Sequence, residues 1–148
     1  LALRDGVTRK AMETLRDEYD LPVLTALWDA ALAAPVWTAA PVWIHGDIHS
    51  GNLLAHEGRL CALIDFGLMG IGDPACDLMV GWSLLTPSSR AVFRSALSVD
   101  AATWARGRGW ALSVALVALA YYRDINPDIS ERSRHTIKQV LADKDRED

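Results

Sequence analysis

The sequence predicts an α+β fold in which helices dominate and a small β-hairpin is embedded among them. Two short apolar runs, Leu53 to Ala55 and Leu60 to Ile64, are separated by residues 56–59 (HEGR) and have the pattern of two strands joined by a glycine-containing turn. Long stretches on both sides carry apolar residues at helical spacing. Of the 148 residues, 51% are hydrophobic and 23% are charged, so a single domain, residues 1–148, with a large core is expected.

Most of the chain outside the hairpin is predicted to be helical. Asp73-Pro74 has the pattern of an N-cap followed by proline in the first turn, and Asn126-Pro127 breaks the chain before the last helix. The charge run at 143–148 is expected to be frayed and solvated. The predicted helices run from Val7 to Tyr19, from Pro22 to a break at Pro35 to Pro41, from Asp73 to about Leu85, from Pro87 to Leu97, from Asp100 to an interruption at Gly109, from Trp110 to Tyr122, and from Ser130 to Leu141.

Charge and composition exclude several classes of protein. The formal net charge is -4 and the pI is about 5.5, so the basic surface of a general nucleic-acid binder is missing, and a cationic small substrate would suit this balance better. The most apolar stretch, Trp110 to Tyr122, is shorter than the roughly 20 residues that a membrane span needs. We therefore expect no nucleic-acid partner and no membrane segment.

The two cysteines and six tryptophans are interpreted as packing residues. Cys61 and Cys76 lie in apolar surroundings without a metal-ligand pattern or a disulfide framework, so both are expected to be reduced, and the cytoplasm is the expected compartment. The tryptophans lie among other apolar residues of predicted helices and strands, which favours core packing over stacking on a ligand. The chain opens at Leu1 directly into helical sequence, as expected of a piece of a longer protein.

The polar residues with the clearest chemical pattern lie around the predicted hairpin. A short extended run, Val42 to Ile44, leads into the segment 45–52 (HGDIHSGN), which contains Asp47 and Asn52. Asp65 ends the second hairpin strand, so the hairpin should fold it back beside that loop. A carboxylate and a carboxamide supply hard oxygen ligands that suit Mg²⁺, and a second carboxylate can orient an attacking hydroxyl. This set is sufficient for the core of phosphoryl transfer.

The segments HGDIHSGN, IDFG and GDPACDL together resemble the aminoglycoside phosphotransferase family, which is related to protein kinases. The resemblance covers roughly Val42 to Leu85. It implies the mainly helical C-terminal lobe of a protein-kinase-like phosphotransferase, which transfers the γ-phosphoryl group of ATP or GTP to a hydroxyl of a small molecule. In that family pattern Asp47 is the catalytic base, and Asn52 and Asp65 are the Mg²⁺ ligands.

Three further residues match family positions or stand near them. His45 is expected to support the loop and to pack near Phe66, and Asp77 to brace the loop through backbone contacts. An acidic residue early in a helix is also favoured by the helix dipole alone, so this second interpretation of Asp77 stays open. His49 could contact a phosphate or the acceptor, or it could serve only as a hydrogen-bonding brace. His56 and His135 are expected at the surface or partly packed.

The chain also departs from the family pattern. Gly46 replaces the arginine of the kinase motif, Ser50 stands where many relatives have proline, and Leu68 and Met69 follow where an additional acidic residue is often seen. There is no glycine-rich phosphate-covering loop and no lysine on a suitable strand, which indicates that an N-terminal nucleotide-covering lobe is absent from this chain. The isolated fragment should therefore bind nucleotide poorly and transfer slowly.

Two other functions compete with this interpretation. Residues 46–49 (GDIH) also resemble an element of metallophosphoesterases, which would use Asp47 and His49 for metal binding, and a kinase-like lobe could serve as a non-catalytic binding module. Within the phosphotransferase interpretation, the acceptor could be an aminoglycoside, a macrolide or a small metabolite, and an antibiotic acceptor would imply a resistance enzyme. The helices expected to line its site include residues 20–34 and segments after Pro87.

Overall fold

The computed structural model describes residues 1–144, so the end of the predicted charge run, residues 145–148, lies outside the described part of the chain. Helices dominate, as predicted. The α-helices are α1 (Asp5–Thr14), α2 (Leu21–Ala33), α3 (Val80–Ser83), α4 (Pro87–Leu97), α5 (Ala101–Tyr122) and α6 (Pro127–Lys144). Short 3-10 helices cover Ala2–Arg4, Ser50–Asn52, Phe66–Leu68 and Pro74–Met79. The strands are β1 (Val42–Ile44), β2 (Leu53–His56), β3 (Arg59–Leu63) and β4 (Gly70–Gly72).

Several helices begin where the sequence places a capping side chain. The carboxylate of Asp20 accepts from the backbone N of Val23 at the start of α2, at 3.1 Å. Asp100 does the same at the start of α5, at 2.6 Å from the backbone N of Thr103. Each cap satisfies a backbone donor that has no partner inside its own helix, which fixes the point where the helix starts. Hydrogen bonding to the Thr103 backbone lowers the pKa of Asp100 from its usual value.

Two small antiparallel sheets flank the loop at residues 45–52. β2 and β3 form the predicted hairpin, with Leu53 opposite Leu63 and His56 opposite Arg59. β1 pairs with β4, so the glycine-rich segment from Gly70 to Gly72 forms a strand. Glycine is rare in strands. This strand forms because β1, which is far away in the sequence, pairs with it.

The core is built around α5, which packs against α1, α2, α6 and the 3-10 helix at Pro74–Met79. The predicted interruption at Gly109 is wrong, because α5 runs continuously through that position. A Cβ atom on Gly109 would lie 2.5 Å from the Cβ of Ala31 and 2.7 Å from Cδ2 of Leu1. The glycine therefore lets α2 approach α5 closely. The segment from Asp73 to about Leu85 was predicted to be one helix, and the structure differs from this prediction. Most of the segment is the 3-10 helix, and the short α3 that follows ends at Ser83.

The packing predictions for tryptophan and cysteine are confirmed only in part. Trp28, Trp82 and Trp104 are buried in the core, but Trp43 on β1 is 69% exposed. Cys76 is buried, whereas the prediction for Cys61 is wrong: it lies exposed on the hairpin. A short two-stranded ribbon that is open to solvent on one face leaves half of its apolar residues uncovered. No helix within residues 1–144 is both long and apolar enough to cross a membrane.

Candidate active site

The loop at residues 45–52 (the catalytic loop) turns sharply directly after β1. Gly46 has a φ of +84°, and a Cβ atom there would collide with the backbone carbonyl of Leu68. A side chain is excluded on both counts, since positive φ disfavours L residues and the Leu68 carbonyl occupies the space. This explains why glycine stands where the kinase motif has arginine.

Asp77 holds the start of the catalytic loop. Its Oδ2 accepts a hydrogen bond from the backbone N of His45, and its Oδ1 accepts one from the backbone N of Gly46, both at 2.8 Å. The 3-10 helix Pro74–Met79 presents this carboxylate from the core side of the loop. Two backbone donors are thereby satisfied by one carboxylate, which fixes the position of the loop relative to the helical core.

Cys76 lies behind this bracing carboxylate. Burial, together with the neighbouring charge of Asp77, raises the pKa of the Cys76 thiol to about 12. The thiol therefore stays protonated at neutral pH and serves as a small packing group.

His45 connects the catalytic loop to the end of the hairpin. Its Nε2 donates to the backbone carbonyl of Ile64 at 2.9 Å, and its Nδ1 accepts from the backbone N of Asp47 at 3.2 Å. This pattern requires a neutral ring with its proton on Nε2. The ring also packs edge-on against Phe66, with centroids 4.7 Å apart, as the sequence suggested. The buried ring thus positions the backbone of Asp47 directly.

Asn52 is buried next to Asp47. Its Nδ2 donates to the backbone carbonyl of Asp47 at 2.9 Å and lies 3.3 Å from Oδ2 of that residue. Because the amide nitrogen is engaged in this way, the side-chain carbonyl oxygen is the part of Asn52 that can serve as a ligand. The backbone carbonyl of Asn52 accepts from Ile64 N at 3.0 Å, which attaches the catalytic loop to the hairpin.

Asp65 follows Ile64, whose backbone forms hydrogen bonds with both His45 and Asn52. It has left-handed backbone angles, φ 62° and ψ 68°, and its Oδ1 accepts from the backbone N of Gly67 at 3.4 Å. Aspartate tolerates this region better than most residues, and such backbone strain is concentrated at functional sites. The Asp65 side chain is exposed at this end of the hairpin.

The donor chemistry at this end of the hairpin fits Mg²⁺. Asn52 and Asp65 offer hard oxygen atoms, and an incomplete set of protein ligands is typical of magnesium sites that share the ion with phosphates and water. Within residues 1–144 there is no group of three or more His, Cys, Asp or Glu side chains that could hold a metal by itself. Asn52 and Asp65 would therefore leave coordination positions of such an ion open.

His49 belongs to the catalytic loop and faces a cleft. Its Nδ1 accepts from the backbone N of Gly51 at 3.0 Å, and its Nε2 is 3.6 Å from Oδ2 of Asp47. The bracing contact that the sequence left open is therefore present, and the other nitrogen of the ring faces the carboxylate of Asp47.

Asp47 and His49 line a cleft of about 420 Å³ whose opposite walls are α5 and α6. The expectation for residues 20–34 is wrong for this cleft: α2 does not line it, because Trp28 and Ala31 pack into the core instead. Sequence reasoning did not single out Tyr122, Arg132 or Ser133, which do line it. Ordinary helix residues carry no local signal that marks them as part of a site.

Comparison with known proteins agrees with this geometry. The sequence model of the APH phosphotransferase enzyme family matches residues 2–110, which is most of the chain. The chain belongs to this phosphotransferase family. The family assignment confirms the resemblance that the loop and hairpin motifs carry. No curated protein matches the chain at the sequence level.

Two solved structures are similar to this member of the phosphotransferase family. The apo form of a thermostable mutant of aminoglycoside phosphotransferase APH(4)-Ia is 20% identical, with a TM-score of 0.52, over 95% of this chain and 52% of that chain. A ternary complex of a further thermostable mutant with AMP-PNP and hygromycin B is 19% identical, with a TM-score of 0.54 and the same coverage. The kinase-like α+β fold is thereby confirmed, and the chain spans about half the length of these relatives.

Proposed function

We propose that this chain is the catalytic part of an ATP- or GTP-dependent phosphotransferase that phosphorylates a hydroxyl group of a small molecule. The observation that carries the proposal is the position of Asp47, which lines the cleft while Asn52 contacts it from the loop side. A carboxylate at the wall of a cleft can meet the hydroxyl of a bound acceptor, and the neighbouring oxygen ligands can meet a metal–nucleotide complex.

The roles follow from this arrangement. Asp47 accepts the proton of the acceptor hydroxyl as that oxygen bonds to the γ-phosphorus. The bond between the γ-phosphorus and the oxygen bridging to the β-phosphorus breaks, and the nucleoside diphosphate leaves with that oxygen. Asn52 and Asp65 would hold Mg²⁺, which neutralises phosphate charge when bound. His45 and Asp77 position the loop, and His49 lies where a phosphate or the acceptor could contact it.

We propose that the parent protein supplies a second lobe that covers the nucleotide. Support comes from exposed apolar residues on the two small sheets and on the segment between β3 and β4, and from the coverage of only 52% of the similar structures. Nine of the exposed large hydrophobic residues in the described part of the chain lie between positions 42 and 71, which is the kind of patch that a partner surface covers. These residues are Val42, Trp43, Leu54, Leu60, Ile64, Phe66, Leu68, Met69 and Ile71.

The nucleotide and the cellular setting belong to the same proposal. A similar structure was solved with AMP-PNP, which supports a nucleoside triphosphate as co-substrate. Its hygromycin B makes an aminoglycoside one candidate acceptor, in which case the protein would confer antibiotic resistance. Both cysteines are free thiols, in keeping with the reducing cytoplasm as the location. No observation favours a metallophosphoesterase, and the intact set of Asp47, Asn52 and Asp65 favours an enzyme over a non-catalytic module.

Replacement of Asp47 tests the proposal. In the full-length parent, Asp47→Ala should lower acceptor-dependent release of ADP or GDP by at least about 100-fold, the scale of losing a general base. The exposed hairpin residue His56 supplies a control, since His56→Ala should leave turnover unchanged. Turnover by Asp47→Ala at the wild-type rate would exclude the proposed chemistry.

A further inference from the structure

The cleft at Asp47 has walls made mainly of carbon. Its apolar lining comes from the catalytic loop, from the end of the 3-10 helix Pro74–Met79 and from α5 and α6. These residues include Ile48, Met79, Val114, Ala118, Tyr122 and Ile129. A volume of about 420 Å³ falls within the range of small-molecule sites, and such walls favour a ligand with an apolar carbon body.

The charged groups of the cleft are few. Among the described residues that line it, Asp47 supplies the one carboxylate and Arg132 the one guanidinium. The other polar groups are neutral hydroxyls and the His49 ring. If Asp47 handles the proton of the reacting hydroxyl, no second carboxylate of this lining is left to pair with an ammonium group. A ligand with several ammonium groups would therefore lose hydration without gaining ion pairs.

Arg132 stands next to the catalytic loop. It projects from α6, where its Nε lies 3.3 Å from the backbone carbonyl of Asp128. Its Nη1 would be 3.7 Å from a Cβ atom built on Gly51, so the guanidinium lies over the loop segment that follows His49. A positive charge in this position repels cationic groups that enter the cleft beside Asp47.

Acidic side chains do occur nearby, but on a different surface. Asp128 and Glu131 line an adjoining hollow together with Ser83, Arg132 and His135. Both acids are exposed, and neither lines the cleft that contains Asp47. Arg132 lines both hollows, so a cation attracted to these acids also meets its guanidinium.

We infer that the acceptor is an alcohol with an apolar carbon body and no ammonium groups, and that Arg132 enforces this preference. The inference rests on the proposed function and narrows its substrate class. The hydroxyl of the acceptor lies at Asp47, which takes its proton as the oxygen bonds to the γ-phosphorus and the nucleoside diphosphate departs. The carbon body lies against α5 and α6. The net charge of -4 suggested a cationic substrate, but Asp47 is the one carboxylate among the described residues that line the cleft.

A matched pair of alcohols tests the preference in the full-length parent. The probes are 3-phenylpropan-1-ol and 3-amino-3-phenylpropan-1-ol, which share a skeleton and differ by an ammonium group, with kanamycin as a polycationic acceptor. The kcat/KM for release of ADP or GDP should be at least about tenfold higher with the uncharged alcohol than with either amine. Arg132→Gln should reduce this ratio to below about threefold, mainly through a lower KM for the amino alcohol. Glu131→Gln, in the outer hollow, should leave the ratio unchanged.

Binding to an Asp47→Asn variant separates the two possible failures. Calorimetric titration with each alcohol measures the preference without turnover. If the uncharged alcohol binds better but wild-type protein transfers no phosphoryl group to any probe, the proposed function fails and the cleft assignment stands. If kanamycin is the better acceptor, the enzyme function stands and the inference is overturned. Equal binding of the two alcohols, or an unchanged ratio in Arg132→Gln, also overturns it.

Discussion

At the scale of single residues, the catalytic loop is held by side chains that contact its backbone. Asp77 accepts from two successive backbone N atoms, and His45 contacts both Asp47 and Ile64. Asn52 completes the set through its amide nitrogen. Such contacts limit movement of the Asp47 carboxylate, and misplacement by about 1 Å can cost about 100-fold in rate. The roles of these residues in catalysis remain predictions.

The identities of these residues could be predicted, but most of their contacts could not. The order and spacing of Asp47, Asn52 and Asp65 match the family pattern, so these residues could be recognised in the sequence. The reason for Gly46 depends on the carbonyl of Leu68, which is distant in sequence. Arg132 lies in ordinary helical sequence and reaches the site only because α6 packs against the loop. No local pattern therefore marks it as a site residue.

The two cysteines should differ sharply in reactivity. Burial raises the pKa of Cys76 to about 12, so its reactive thiolate is scarce until the pH approaches that value, whereas Cys61 is exposed on the hairpin. At pH 8, iodoacetamide should modify Cys61 in the folded chain, and mass spectrometry should find Cys76 modified only after unfolding in urea. A Cys61→Ser chain serves as the control and should take up no label while folded. Comparable labelling of both thiols in the native protein would contradict the burial of Cys76.

At the scale of elements, α5 is the scaffold on which the site is assembled. It supplies one wall of the cleft and packs against the 3-10 helix that carries Asp77. The sequence predicted a helix that begins at Asp100, and the cap found there is a local interaction. It did not predict the continuous helix through Gly109 or the strand at Gly70–Gly72, because both depend on neighbours that are remote in sequence.

Substitution of Gly109 should show this packing role. Gly109→Ala gains helix propensity, yet its Cβ would lie 2.5 Å from that of Ala31, so we expect a loss of about 1–3 kcal/mol in the free energy of unfolding. Gly6→Ala in α1 is the matched control, since nothing lies within 4 Å of its added Cβ, and it should stabilise by up to about 1 kcal/mol. Urea denaturation of both variants provides the measurement. Unchanged or increased stability of Gly109→Ala would show that α2 and α5 are not in close contact there.

At the scale of the whole molecule, the two ends of the site have different surroundings. The cleft is enclosed by α5 and α6, whereas the two sheets present large exposed apolar residues such as Trp43 and Leu60. The helical core and the hairpin could be predicted because their apolar periodicity is local. The cleft could not, since it exists only where the loop, α5 and α6 meet. We therefore propose that the acceptor chemistry lies in this chain and that another part of the parent covers the nucleotide.

The most direct test of the central claim is a crystal structure of the full-length parent with Mg²⁺ and AMP-PNP. We predict that the side-chain oxygens of Asn52 and Asp65 would hold the Mg²⁺ and that the Asp47 carboxylate would face the γ-phosphate from the cleft. A metal–nucleotide complex bound away from Asn52 and Asp65, or an Asp47 carboxylate that faces no phosphate, would contradict it.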